Sequence, residues 1–233
     1  MAAERPAPEH EPQPEYRPVK RALISVFDKI GVVEFAIGLY REGVEIISTG
    51  GTKHAIEEAG IPVTAVEEVT GFPEMLDGRL KTLDPHLYAG ILADRRKAEH
   101  LETLAEHSLE EIDLVCVNLY PFEDTVASTD DPEAIIEKID IGGPSMIRAG
   151  AKNFHSVVSV CDPERYDTIL EEVRDHGGTS LGTRAQCALD VFDRTHRYDT
   201  AIYEWLQENQ LLLAPGAYEA PARQSDEPGR GRT

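Results

Sequence analysis

Three times in its first seventy residues the chain passes through a short apolar run, and the first two runs lead through a tight loop into a helix-like segment. This rhythm constrains the fold more than any other feature. Ala22-Leu23-Ile24-Ser25-Val26, Val44-Glu45-Ile46-Ile47-Ser48 and Pro62 to Val66 are short apolar runs bounded by turn residues, the pattern of buried strands. Between them, Phe27 to Gly31 reads as a turn. Val32 to Arg41 reads as a helix with Val33, Phe35, Ala36 and Leu39 inward, and Thr49-Gly50-Gly51-Thr52 opens a helix that runs through Glu58 to Gly60. Such alternation predicts an α/β fold with a mainly parallel sheet and helices on its faces. Ligands of such sheets gather at the carboxyl ends of the strands.

The same reading continues along the chain. Asp113 to Phe122 is the most strand-like run, and Ser156 to Cys161 is another. Asp162-Pro163 starts a helix to about Asp175, stopped at Gly177-Gly178. Leu181 to Gln207 is long and amphipathic, suited to the domain edge or to a partner subunit, which leaves room for a homodimer. Residues 1–20, with five prolines, read as a disordered arm. The ordered domain is expected over 21–209, with 162–209 as a helical appendage, and 210–233 as a disordered tail.

Composition excludes several classes. The net charge is −20, from 43 acidic and 23 basic residues, and no Lys/Arg block is present to track a phosphodiester, so nucleic acid is not an expected partner. Cys116, Cys161 and Cys187 are far apart and odd in number, so they fit core thiols in a reducing compartment rather than a zinc site or disulfide framework. No run approaches the roughly 20 apolar residues of a membrane span, and no signal-peptide h-region opens the chain. The expected location is cytoplasmic, with no membrane partner.

Four stretches carry candidate chemistry. Thr49-Gly50-Gly51-Thr52 joins a strand end to a helix start, where backbone N–H groups can cradle a phosphate; the alternative is a tight turn with a threonine N-cap. Lys29 follows the first strand and reaches the same rim, or is a solvated loop lysine. Gly71 to Leu92 begins as a long loop, usually functional when not disordered. Arg79 and Lys81 in it face one side if the segment is extended, which suits an anion; the alternative is an exposed basic pair. Asn118 and Tyr120 sit at the carboxyl end of the Asp113 to Phe122 run and can hydrogen-bond a base or carboxamide, or merely turn the chain and cap the core. Arg95 to Glu111 reads as a solvated helical face.

The fourth stretch is Glu137 to Asn153. It combines Asp140, the pair Gly142-Gly143, a helix start at Pro144, and the cations Arg148 and Lys152. The helix N-terminus faces Asp140. A lysine inside so apolar a helix would lose solvation and give up its proton more easily; the alternative is a buried Asp–Lys ion pair. A helix rises about 12 Å from Pro144 to Lys152, so Lys152 cannot sit at the same helix end as Asp140; either the base of a ligand lies along the helix, or Lys152 approaches from a bend.

Taken together, Ser-Val-Phe-Asp-Lys, Ser-Thr-Gly-Gly-Thr, Thr-Gly-Phe-Pro-Glu-Met-Leu-Asp-Gly-Arg-Leu-Lys-Thr-Leu, Asn-Leu-Tyr-Pro-Phe, Ile-Asp-Ile-Gly-Gly-Pro and Ala-Lys-Asn resemble, in that order, the IMP cyclohydrolase domain of the bifunctional purine-biosynthesis enzyme. The resemblance runs from about Arg21 to about Asn209 and lacks the AICAR formyltransferase domain, which would then be a separate protein or a removed part. It implies the methylglyoxal-synthase-like three-layer fold with C-terminal helices. It also implies dehydrative closure of 5-formamidoimidazole-4-carboxamide ribotide (FAICAR) to IMP, a hydrolase-class reaction on a small ribonucleotide with no organic cofactor and no metal. By motif, the implied catalytic residues are Lys81, Tyr120, Asp140 and Lys152. The implied substrate-binding residues are Phe27, Asp28 and Lys29; Thr49, Gly50, Gly51 and Thr52; Arg79, Leu80 and Thr82; and Val117, Asn118, Ile141 and Gly142. The chain departs from the family at Phe27, where a serine is usual, and at Asp84 and Tyr88, where histidines are usual. Asp84 is near enough in sequence that it could pair with Lys81 and reduce its pull on an oxyanion. A methylglyoxal-synthase-type lyase and a non-catalytic nucleotide-binding module share the fold and stand as alternatives.

Overall fold

In the computed structural model, which describes residues 14–210, the chain opens with β1 (Tyr16–Pro18) and then enters the alternation β2 (Arg21–Ile24), α1 (Val32–Arg41), β3 (Glu45–Ser48), α2 (Gly50–Glu58), β4 (Thr64–Ala65) and α3 (Val66–Thr70). A loop with one 3-10 turn at Leu76–Gly78 leads to α4 (Pro85–Leu92), α5 (Ala98–Glu106) and β5 (Leu114–Cys116). Next come α6 (Phe122–Ser128), α7 (Pro132–Ile136), α8 (Gly142–Lys152), β6 (Val158–Val160), α9 (Tyr166–His176), β7 (Gly178–Ser180) and α10 (Leu181–Glu208).

Five strands form a wholly parallel sheet in the order β4-β3-β2-β5-β6. Successive residues of a strand point to opposite faces, and this separates two cores. Ala22, Ile24, Ile46 and Leu114 pack with Phe35, Leu39 and Ile169 of α1 and α9. Leu23, Ile47 and Val115 pack with Leu87 and Ile91 of α4, Met146 and Ile147 of α8, and Val191 of α10. Three layers result, as the alternation predicts. After β2 the chain builds outward through β3 and β4, then returns to add β5 and β6 on the other side. A crevice opens where the direction of building reverses.

Several expected boundaries move. Residues 16–18 are not a disordered arm: β1 pairs antiparallel with β7, Tyr16 stacks on His176 at 3.8 Å, and Val19 is buried. Backbone pairing overrides the proline content there. The remainder of the expected arm before residue 14, and the tail beyond 210, lie outside the described residues. Helix α10 is no appendage, because Ala188 and Val191 are core residues. The run Pro62 to Val66 contributes only two strand residues before Val66 opens α3, and Asp113 to Phe122 contributes only three before Phe122 opens α6. Arg95 is not a solvated residue. Its guanidinium is buried and donates to the carbonyls of Ala93, Gly90 and Ile112 and to Glu111. Five donors in a planar fork suit that collection of acceptors.

Candidate active site

Polar groups converge on one cavity of about 770 Å³ at the carboxyl ends of β2, β3 and β5. Each wall is built by a short local device. The turn after β2 is pinned by Asn118: its Oδ1 accepts from the N–H groups of Phe27 at 2.6 Å and Asp28 at 3.2 Å, and its Nδ2 donates to Asp28 O at 2.8 Å. Lys29 Nζ donates to the carbonyls of Val26 and Phe27. Its pKa is pushed down by burial, with Asp28 pulling the other way. An ammonium has three donors, so one is left for a ligand.

The second wall is the start of α2. Gly50 holds φ +54°, and no side chain caps this helix end. Thr52 Oγ1 both accepts from Val26 N at 3.1 Å and donates to Val26 O at 2.9 Å, tying the helix to the first turn. Thr49 Oγ1 is buried without a protein partner. A buried unpartnered hydroxyl is costly, and here it belongs to a residue that lines the cavity. A Cβ added at Gly50 would lie 3.5 Å from Lys81 Nζ, which places that ammonium beside the helix start.

The third wall is the start of α8. Asp140 Oδ1 accepts from Gly143 N at 2.9 Å, and the Asp140 N–H donates to Tyr198 Oη at 2.7 Å. Burial pushes the Asp140 carboxyl above its ordinary pKa, against the backbone donors of Gly143 and Gly142. A Cβ on Gly143 would fall 2.2 Å from Asp140 Oδ2, so only glycine admits the carboxylate there. Tyr88 faces the same helix end: its hydroxyl donates to Ser145 Oγ at 2.7 Å, and burial raises its pKa.

Two carboxylates hold two of the cavity's cations. Lys81 pairs with Glu74 and Arg79 with Glu137. Asp84 does not pair with Lys81; it caps α4, accepting from His86 N at 2.8 Å and pairing with His86 Nδ1 at 2.7 Å. The segment around Arg79 is not extended, because Met75 bridges Leu80 across the 3-10 turn. Arg79 and Lys81 nonetheless both line the cavity.

Of the residues implied by sequence, Phe27, Lys29, Thr49 to Thr52, Arg79, Lys81 and Thr82 border the cavity. So do Val117, Asn118, Tyr120, Asp140, Ile141 and Gly142. Asp28 and Leu80 are not among its lining residues. Lys152 is set apart. It is exposed at the last position of α8, and eleven helical residues span about 16 Å, so it forms no buried pair with Asp140. Its neighbour Asn153 is structural, donating to the carbonyls of Ile91 at 2.8 Å and Ala93 at 2.9 Å. Arg148 also points away, over the ring of Phe192. Sequence reasoning missed Glu74, Glu137 and Lys138. The signal for Glu74 was available: a carboxylate seven residues before Lys81 in one loop. Among the described residues no group of three His, Cys, Asp or Glu could hold a metal, and no helix is long and apolar enough to cross a membrane. The three cysteines are buried and free.

The first comparison defines the class. A family model described as MGS-like domain matches residues 31–145. A second, described as AICARFT/IMPCHase bienzyme, matches residues 150–227. Similar curated proteins include the bifunctional purine biosynthesis protein PurH of Listeria monocytogenes serotype 4b (strain F2365), 56% identical over 189 residues, 81% of this chain and 37% of the relative. PurH of Lactobacillus acidophilus (strain ATCC 700396 / NCK56 / N2 / NCFM) is 52% identical over 198 residues, 84% of this chain and 39% of the relative. The crystal structure of ForH superposes with a TM-score of 0.71 at 34% identity, covering 80% of this chain and 98% of that one. The chain belongs to the AICARFT/IMPCHase bienzyme family. It spans less than two fifths of the length of the curated relatives it matches.

Proposed function

We propose that this chain is an IMP cyclohydrolase, closing the ring of FAICAR with loss of water to give IMP. The observation that carries the proposal is the meeting of Lys81, an uncapped helix start and the half-buried carboxylate of Asp140 on one cavity. The phosphate would sit on the N–H groups at the start of α2, with the Thr49 hydroxyl gaining the partner it lacks. Lys29 would add its third donor.

The chemistry asks for a base and a cation. The carboxamide nitrogen attacks the formyl carbon and gives up a proton; Asp140 is the group placed to take it. Charge developing on the formyl oxygen is held by the Lys81 ammonium, which Glu74 keeps aimed. Fixed charges of this kind are effective because they need no reorganisation during the reaction. The oxygen, once protonated, leaves as water as the former formamido nitrogen loses its proton and the C=N bond forms. Tyr120 stands at the same rim as a further donor. No step is assigned to Lys152. The domain is proposed to extend over residues 21–209, with β1 as an added strand.

Incubating the protein with FAICAR and following the purine chromophore tests the reading. Conversion by the native chain, with loss in Lys81→Met, is expected. A well-folded native chain that leaves the ribotide unchanged overturns it.

A further inference from the structure

Two large aromatic side chains stand in the cavity where a folding chain would ordinarily hide them. Phe27 is 47% exposed and Tyr120 39% exposed, and both line the cavity. Their ring centroids are 4.6 Å apart with planes tilted by 43°. The Lys138 ammonium lies over the Tyr120 ring, 5.7 Å from its centroid. We infer that Phe27 and Tyr120 form a platform that takes the flat heterocycle of the ligand against its face, and that Phe27 sets preference for ring-bearing over ringless sugar phosphates. This inference rests on the nucleotide reading above and specifies how the base is held.

The platform is rigid for a reason visible in its hydrogen bonds. Asn118 binds the backbone of Phe27 and Asp28 through three contacts, and Lys29 donates to Phe27 O at 3.0 Å. The Phe27 ring is therefore offered to the cavity by a pinned backbone, with the Tyr120 ring beside it. The same turn is tied to the phosphate cradle, since Thr52 of α2 bonds both polar groups of Val26. Cradle and platform thus keep a fixed separation, as a nucleotide with its phosphate at one end and its base at the other requires. An exposed aromatic face gains when a second π-system covers it. The cation over Tyr120 adds attraction for a ring bearing carbonyl oxygen.

The test uses the full chain as the native protein, Phe27→Ala and Phe27→Trp, with IMP and ribose 5-phosphate as probes in calorimetry. Phe27→Ala is expected to weaken IMP about tenfold, the scale of one base–aromatic stack, and to leave ribose 5-phosphate within twofold. Phe27→Trp is expected to keep IMP within about threefold, and its new indole to be quenched by IMP and not by ribose 5-phosphate. The native tryptophan, Trp205, is buried against Phe122 and provides a constant background. Equal losses for both probes, unchanged IMP affinity in Phe27→Ala, or an unquenched indole overturns the platform. Should Phe27→Ala fail to fold, the tryptophan variant decides alone. A native chain that binds IMP with the expected Phe27 dependence yet never closes the formamido ribotide removes the ring-closure reading and leaves the platform standing. Turnover with unaltered IMP binding in Phe27→Ala does the reverse, and a native chain that binds neither probe sinks both.

Discussion

Helices α2 and α8 both begin on a Gly-Gly pair at the rim of one cavity, yet only one of them arrives with its own anion. At α8, Asp140 sits on Gly143 N and occupies the positive end of the helix. At α2, no side chain caps the helix, the Thr49 hydroxyl is unpartnered, and an ammonium stands beside Gly50. A helix N-terminus attracts negative charge in either case. Under the proposed reading the difference decides its use: the filled end would hold the reacting carboxylate in place, and the open end would be left for an anion from outside. In the proposed reaction the first does chemistry and the second does binding.

Attacking the filled end gives the largest effect. Asp140→Asn keeps an oxygen for Gly143 N but removes the base, so kcat for FAICAR is expected to fall by about 10²–10⁴. With Asp140 intact, the acid limb of kcat against pH is expected above the ordinary aspartate value of 3.8, because burial favours the protonated form. An acid limb at or below that value, or near-native turnover in the variant, removes Asp140 from the scheme. Gly143→Ala comes next. A Cβ 2.2 Å from Asp140 Oδ2 must push the carboxylate aside, and a displacement of about 1 Å costs on the order of 10²-fold in rate. If the alanine variant keeps native kcat, the carboxylate was never held where the reaction needs it.

This asymmetry was only half legible in the sequence. Both glycine pairs and both helix starts could be read, because glycine after an apolar run and proline in a first turn are local signals. Three-residue strands such as β5 were overread, since Val117 and Leu119 carry apolar character past the paired residues and only the neighbouring strand sets where pairing stops. Sequence proximity suggests Asp84, three residues away, as the partner of Lys81, but the loop folds back at Met75–Leu80 and brings Glu74 close instead. Lys152 carried a motif, but the rise of its helix already set it apart from Asp140: an α-helix that starts at the cavity ends away from it. The role of α10 in holding Asp140 through Tyr198 spans 58 residues of sequence, and no periodicity announces such a contact.

The open end is probed by Thr49→Val. The hydroxyl has no protein partner, so its removal is expected to leave the melting temperature unchanged or slightly higher. Affinity for IMP should nonetheless fall about tenfold, in line with about 1.5–3 kcal/mol for a hydrogen bond to a charged group. A stability loss without an affinity loss would mean that Thr49 serves the fold, and that the α2 end is not the phosphate site.

The smallest effect is on stability, and it separates the two helix ends by its dependence on pH. The folded-state pKa of Asp140 is raised, so folding favours the protonated acid. That contribution is fully present below the unfolded-state pKa and is lost as pH rises through the raised folded value. At neutral pH the native chain therefore holds an ionised carboxylate at some cost, which Asp140→Asn removes while keeping the acceptor for Gly143 N. Urea midpoints should show Asp140→Asn equal to or more stable than the native chain at pH 7, the advantage shrinking as the pH drops towards 4. Thr49→Val carries no titrating group and should show no such slope. If Asp140→Asn is instead less stable at pH 7, the charge of Asp140 stabilises the start of α8, and the filled end is a structural cap before it is a base.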